Sequence, residues 1–193
     1  MKKLIGFRKL KTAVFISGNG SNLKNLVKFS NLKNSPIKIE LVISSNAKAK
    51  GLSFAKNLKL KSKVFSFKNR KDDIKIVRFL KKNNINFICL AGFMKILSNN
   101  FITNFNGRIL NIHPSLLPKY KGLNTHQRVL DNKEKFSGCT VHLVNAKLDS
   151  GKIILQKRVK ISKNDNAISL SKKILKHEHS LYPKAIKKFI FNS

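Results

Sequence analysis

A chain of 193 residues with 41% apolar side chains carries enough hydrophobic material for one ordinary domain with a buried core, which excludes a disordered chain. Its 41 lysines and arginines against eight acidic residues give a formal net charge of +33, but the lysines are spread along the whole chain between apolar residues, as on solvated faces, and form no arginine–aromatic cluster of the nucleic-acid-binding kind. The longest apolar run, residues 87–94, is far too short to span a bilayer, and no cleavable leader pattern follows the basic start, so a cytoplasmic protein without membrane contact is expected.

In chain order, residues 1–11 read as a short basic extension. Residues 12–17 (TAVFIS) form a buried-strand pattern, followed by a glycine loop and a helix through Leu23, Leu26 and Val27. A second strand is expected at 37–43, a helix at 47–58 and a third strand at 64–67. A helix over 72–82 would present Ile76, Val77 and Leu80 on one face, and strands at 85–91 and 108–112 complete the series. Such strand–helix alternation implies a parallel sheet covered on both faces. After Gly122 the pattern changes to a helix at 125–130, two strands at 139–144 and 153–161 close enough to pair antiparallel, and a last helix at 167–189. No repeat or Pro/Gly-rich linker interrupts the chain, so 12–191 is expected to be one α/β domain. Its sheet would be doubly wound and mostly parallel, Rossmann-like, with an antiparallel strand near the C-terminal end. Cys89 and Cys139 lie in apolar stretches without CxxC spacing and read as packed thiols.

The loop Ser17-Gly18-Asn19-Gly20-Ser21-Asn22 sits where a strand turns into a helix. Helix N-terminal amides carry free donors and partial positive charge, and glycines admit an anion close to the backbone. The third glycine of the dinucleotide fingerprint is replaced by Leu23, and no Gly-Lys-Ser/Thr follows, so a single phosphomonoester suits the loop better than a dinucleotide or a triphosphate. A tight turn with Ser21 or Asn22 as helix N-cap is the plain structural alternative.

Asn111 and His113 end an apolar strand stopped by Pro114, and the period of two puts both side chains on one side. An amide and an imidazole leaving a strand together can hold and protonate a developing oxyanion, which points to carbonyl chemistry. Acidic partners are scarce: Asp149 lies in a turn between the two late strands, and Glu178 lies between His177 and His179. Those two histidines are two apart on a helix and face different ways, so no metal site is expected.

Five segments occur in one order and spacing: GNGSN at 18–22, AGFMKIL at 91–97, ILNIHPSLLPKYKG at 109–122, CTVHLV at 139–144 and LDSGKIILQ at 148–156. By these the chain closely resembles the phosphoribosylglycinamide formyltransferase family, over nearly all of 12–189. The resemblance implies transfer of a formyl group from 10-formyltetrahydrofolate to the amine of glycinamide ribonucleotide in purine biosynthesis. It implies a catalytic trio of Asn111, His113 and Asp149, with Gly20, Ser21 and Asn22 on the phosphate and Glu178 on the ribose. It further implies folate contacts from Met94, Lys95, Ile96 and Leu97, from the loop Asn145, Ala146, Lys147 and Leu148, from Asn111 and Asp149, and from Arg70, which falls near a family arginine. The cosubstrate is then the folate, with no metal, and the expected assembly is a monomer or homodimer.

Lys121 and Asn124 depart from the family's usual residues, and the loop 145–147 lacks the acidic character of some relatives; none of these changes removes a catalytic group. Rival readings are a methionyl-tRNA formyltransferase, which normally carries a further C-terminal domain and an arginine-glycine pair where this chain has Lys121-Gly122, and a formyltetrahydrofolate hydrolase, which carries an N-terminal regulatory domain and lacks the GNGSN loop. A basic nucleic-acid-binding module on a decayed scaffold is the rival of another class. Asp149 is expected to raise the pKa of His113 and favour its imidazolium form.

Overall fold

A computed structural model describes residues 8–192. Seven strands, β1 (Leu10–Ile16), β2 (Ile37–Ser44), β3 (Lys61–Val64), β4 (Phe87–Leu90), β5 (Arg108–His113), β6 (Phe136–Leu143) and β7 (Ile153–Lys160), form one sheet in the order β3-β2-β1-β4-β5-β6-β7. The first five are parallel, while β5–β6 and β6–β7 pair antiparallel. Among the described residues five helices lie between strands, α1 (Ser21–Ser30), α2 (Lys50–Asn57), α3 (Arg70–Lys82), α4 (Asn99–Asn104) and α5 (Thr125–Asp131), and a sixth, α6 (Ala167–Phe191), follows β7.

Alternation along β1 divides the core. Val14 and Ile16 face one cluster with Leu23, Leu26, Ala55, Val129, Ile174 and Tyr182, from α1, α2, α5 and α6. Ala13 and Phe15 face the other with Ile76, Leu80 and Phe101, from α3 and α4. The sheet is therefore covered on both faces, which is why its central strands read as continuous apolar runs. Among the described residues no helix is long and apolar enough to cross a membrane.

The chain runs outward from β1 to β2 and β3, then returns across the sheet to β4 on the other side of β1. Such a reversal opens a crevice at the carboxyl ends of the strands, the usual place for a ligand in a doubly wound sheet. The loops after β1 and β4 both open there.

Several boundaries differ from the sequence reading by two or three residues, as at β6, which begins at Phe136 rather than 139, and three differences have a clear physical cause. The third strand lies at Lys61–Val64 rather than 64–67, because pairing with β2 ends at Val64 and Phe67 takes a positive φ. Phe65 and Phe67 then turn onto the second core cluster; their apolarity reflects packing beyond the strand. Helix α4 had no apolar period long enough to signal it; it is set by the Ser98 side chain accepting from the Phe101 N–H, and by buried Phe101. Of the 1–11 extension, residues 1–7 lie outside the described residues, while Leu10 and Lys11 pair with Ile37 and Lys38 as the start of β1.

Candidate active site

A cavity of about 700 Å³ occupies the crevice. Asn111 and His113 from β5, His142 from β6 and Asp149 from the β6–β7 turn meet in its wall, with Gly18–Asn22 and Glu178 at one end and the segments 92–97 and 145–148 along the side. The antiparallel register puts Asn111 opposite His142 and His113 opposite Thr140, so strand pairing itself brings the amide and the second imidazole together.

His113 is 5% exposed. Its Nε2 lies 2.8 Å from the Tyr120 carbonyl oxygen, which can only accept, so Nε2 carries the hydrogen. Nδ1 is the nitrogen that faces the site, 3.4 Å from Asp149 Oδ2. The same Asp149 oxygen accepts from the Gly122 N–H at 2.9 Å. His142 donates from Nδ1 to the Leu143 carbonyl at 2.8 Å, which leaves Nε2 to accept from Asn111 Nδ2 at 3.2 Å. Asn111 Nδ2 also lies 3.4 Å from Asp149 Oδ1. Both neighbours accept, which orients the amide with its NH₂ inward. Contacts of 3.2 and 3.4 Å are long, and a charged oxygen entering between them would take these hydrogens at shorter range.

Burial pushes the His113 pKa down, and outweighs the Tyr120 carbonyl and Asp149, which both pull it up. The expectation of a favoured imidazolium is thus corrected: Asp149 acts in the anticipated direction, but the unliganded site holds His113 neutral at neutral pH, with Nδ1 ready to take a proton. For Asp149, burial pushes the pKa up, yet its hydrogen-bonding contacts, the Gly122 N–H among them, hold it below the usual carboxylate range. The pair at rest is therefore a carboxylate beside a neutral imidazole.

At the far end Gly20 is the N-cap of α1, left-handed at φ 77°, with no side-chain cap. Neither Ser21 nor Asn22 caps the helix, so the plain N-cap alternative is not the arrangement here. Asn22 instead donates to Glu178 Oε2 at 2.7 Å. Glu178 is buried, and burial pushes its pKa up against that hydrogen bond. The first turn of α1 thus presents its amides to the cavity beside a polar, half-satisfied carboxyl.

The side wall is tied to this end. Ser17 N–H donates to the Gly92 carbonyl at 3.1 Å, and Ser17 Oγ accepts from the Met94 N–H at 2.8 Å. Met94, Ile96, Leu123 and Leu148 stand 64%, 71%, 65% and 48% exposed around the mouth, an apolar rim of the kind that takes a flat ring or chain. Leu97 is buried beneath it.

Every anticipated site residue except Arg70 lines the cavity; Arg70 is exposed in the first turn of α3, outside the lining. His142, Leu123 and His126 line it without having been singled out. His142 was hidden in an apolar strand, and only its cross-strand alignment with Asn111 gives it away. Among the described residues no group of three or more His, Cys, Asp or Glu is placed to hold a metal ion.

The formyl transferase family profile matches residues 10–186. The chain is 42% identical over 183 residues to phosphoribosylglycinamide formyltransferase of Haemophilus influenzae, covering 93% of this chain and 86% of that protein. It is 41% identical to the human trifunctional purine biosynthetic protein adenosine-3, also over 183 residues and 93% of this chain, but spans only 18% of that protein's length. Among solved structures, phosphoribosylglycinamide formyltransferase from Brucella melitensis superposes with a TM-score of 0.88 at 42% identity, covering 94% of this chain and 96% of that one. With a doubly wound sheet, a glycine loop after β1 and an Asn–His–Asp centre at the switch point, this chain belongs to the formyl transferase family, in its phosphoribosylglycinamide formyltransferase branch.

Proposed function

We propose that this chain transfers the formyl group of 10-formyltetrahydrofolate to the primary amine of glycinamide ribonucleotide. The observation that carries the reading is the meeting of Asn111, His113 and Asp149 between an anion-binding helix start and an apolar-rimmed wall. The rim of Met94, Ile96 and Leu148 suits a pterin and its aryl tail, and the loop 145–148 offers backbone groups to the ring. When bound, the folate supplies an activated formyl carbonyl.

The chain's own groups account for the rest. Backbone amides of Gly20, Ser21 and Asn22 hold the phosphate, and Glu178 holds the ribose hydroxyls, so the amine is delivered to one point. Asn111 turns its amide hydrogens onto the formyl oxygen as negative charge builds there, a contact stronger in the transition state than before it. His113 Nδ1 receives the proton released by the attacking amine, directly or through a water held by Asp149, and returns it to the departing nitrogen. Asp149 stabilises the imidazolium during that interval. No covalent enzyme intermediate is required, because a neutral primary amine is already a good nucleophile.

The positive field of the chain draws both anionic substrates and is screened by salt. The reading takes small molecules rather than nucleic acid as partners, as a monomer or homodimer, and a cytoplasmic setting in which the buried Cys89 and Cys139 thiols stay reduced. The test is an absorbance assay of folate turnover with glycinamide ribonucleotide or charged initiator tRNA as acceptor. Turnover with the ribonucleotide alone supports the reading; turnover with the tRNA alone, or salt-sensitive DNA binding without turnover, sinks it.

A further inference from the structure

The segment between β5 and α5 touches the proton-handling pair twice within three residues. The Tyr120 carbonyl accepts from His113 Nε2 at 2.8 Å, and the Gly122 N–H donates to Asp149 Oδ2 at 2.9 Å. This strap is in an unfavourable shape for its sequence: Tyr120, Gly122 and Asn124 all have positive φ, and two of the three are not glycine. Conformations of this kind persist only where the surroundings over-determine them. Two groups outside the pair do so. Glu134 Oε1 accepts from the Tyr120 hydroxyl at 2.9 Å and from Lys119 Nζ at 2.8 Å. Arg128 Nη1 donates to the Lys121 carbonyl at 2.7 Å and the Leu123 carbonyl at 3.3 Å, and its guanidinium lies 5.5 Å from the Tyr120 ring centre.

We propose that Glu134 and Arg128 are positioning residues for the His113–Asp149 pair, acting through the strap 119–123. Neither lines the cavity, and in a chain with only eight acidic residues Glu134 is committed to this contact. By clamping Tyr120 they keep its carbonyl on Nε2, which fixes the His113 tautomer and aims Nδ1 at Asp149 and the reaction centre. By holding the Lys121 and Leu123 carbonyls on either side of Gly122, Arg128 keeps the Gly122 N–H on Asp149. The charged and titratable groups that face His113 are Asp149, His142, His126 and Arg128 itself. Arg128 therefore acts on the pair twice, once through geometry and once through its charge, whereas Glu134 acts through geometry alone.

The inference rests on the formyl-transfer reading for its kinetic arm only. Three variants are compared with the wild type: Tyr120→Phe, which deletes only the hydroxyl; Glu134→Ala with Glu134→Gln as its rescue, since Gln still offers an oxygen to the phenol; and Arg128→Ala, an exposed position whose truncation leaves the core intact. Histidine-ring nitrogen NMR on the unliganded protein reads the His113 tautomer without any turnover. The expected result is a pure Nε2–H form in the wild type and in Glu134→Gln, and a mixture of tautomers in Tyr120→Phe, Glu134→Ala and Arg128→Ala. In kinetics, kcat falls about tenfold for a loosened hydrogen bond at the reacting pair, with KM for the ribonucleotide within about twofold. Because the Tyr120 carbonyl pulls the His113 pKa up and His113 starts the reaction as a neutral base, loss of that contact in Glu134→Ala moves the acidic limb of the kcat profile to lower pH, and Glu134→Gln restores it. A single Nε2–H tautomer, with kcat and pH profile unchanged in all of the truncated variants, overturns the proposal. Absence of formyl transfer in the wild type overturns the functional reading instead, and leaves the tautomer measurement to judge the clamp.

Discussion

Gly20→Ala tests the phosphate end of the site where the structure leaves least room. Gly20 is left-handed, and a Cβ there would stand 2.7 Å from the Gly51 Cα, a backbone atom at the start of α2. Gly51 has no easy retreat: its N–H donates to the Gly18 carbonyl at 3.0 Å, and its own outer face abuts Ile16. The left-handed conformation costs an L side chain about 1–2 kcal/mol, and forcing extra carbon into a packed crossing about 1–3 kcal/mol. Relief comes from moving the loop off α2, which takes the amides of Gly20 to Asn22 away from the phosphate. A total of about 2–5 kcal/mol divides between lost stability and lost binding. Thermal unfolding and steady-state kinetics with varied ribonucleotide separate the two. The melting temperature should fall by about 2–4 °C per kcal/mol, and KM for the ribonucleotide should rise at least about tenfold, which takes 1.4 kcal/mol, while KM for the folate changes much less. Gly51→Ala is the graded control: it adds no dihedral strain, and its Cβ meets the flexible tip of Ile16 at 2.6 Å and the Gly20 Cα at 3.2 Å, so its effect has the same direction and a smaller size. Wild-type ribonucleotide KM in Gly20→Ala would refute both the packing argument and the assignment of the phosphate.

Asn111→Ala should lower kcat about 10²–10³-fold with a modest change in either KM, because its hydrogens are needed on the oxyanion and are only loosely engaged before it forms; single-turnover measurements check this, and equal losses in KM alone would contradict it. Glu178→Gln should raise thermal stability and KM for the ribonucleotide together. A buried carboxyl with a raised pKa favours folding below its ordinary pKa and opposes it at neutral pH, so a neutral isostere relieves that burden while still accepting from Asn22. A lower melting temperature at pH 7 counts against this. His113→Asn should lose less stability than the wild type on acidification. Burial depresses the His113 pKa, so its contribution is present above the ordinary value of 6.5 and is lost as pH falls from there through the folded-state value; parallel denaturation midpoints between pH 8 and 5 for the two proteins would rule it out.

Much of the molecule was legible in one dimension because local chemistry carried it. The apolar runs at β1, β2 and β4 marked strands buried on both faces, and the glycines at 18 and 20 marked a strand-to-helix turn able to take an anion. The spacing of Asn111 and His113 already placed both on one side of a strand. What resisted were features whose cause lies elsewhere in the chain. Helix α4 depends on a Ser98 cap and on the pocket that receives Phe101, neither of which has a period to read. Edge strand β3 is exposed throughout, so its residues carry no burial pattern, and the apolar Phe65 and Phe67 beyond it drew the boundary the wrong way.

The sequence by itself determined which groups were available: an amide, an imidazole and a carboxylate, an anion-binding turn, and an apolar segment at 91–97, all set by side-chain type and short-range periodicity. Tertiary structure alone decided how they behave together. Antiparallel pairing of β5 with β6 added His142 as a fourth member, since cross-strand neighbours are chosen by register over a separation of 31 residues. Closure of the β6–β7 turn brought Asp149 within 3.4 Å of both Asn111 and His113. Burial then outweighed the upward pull of Asp149 on the His113 pKa, because desolvation depends on everything packed around a group and not on its nearest acid. The strap at Tyr120 and Gly122 completed the arrangement by fixing which imidazole nitrogen faces the reaction, a choice made by a backbone carbonyl that no residue identity records.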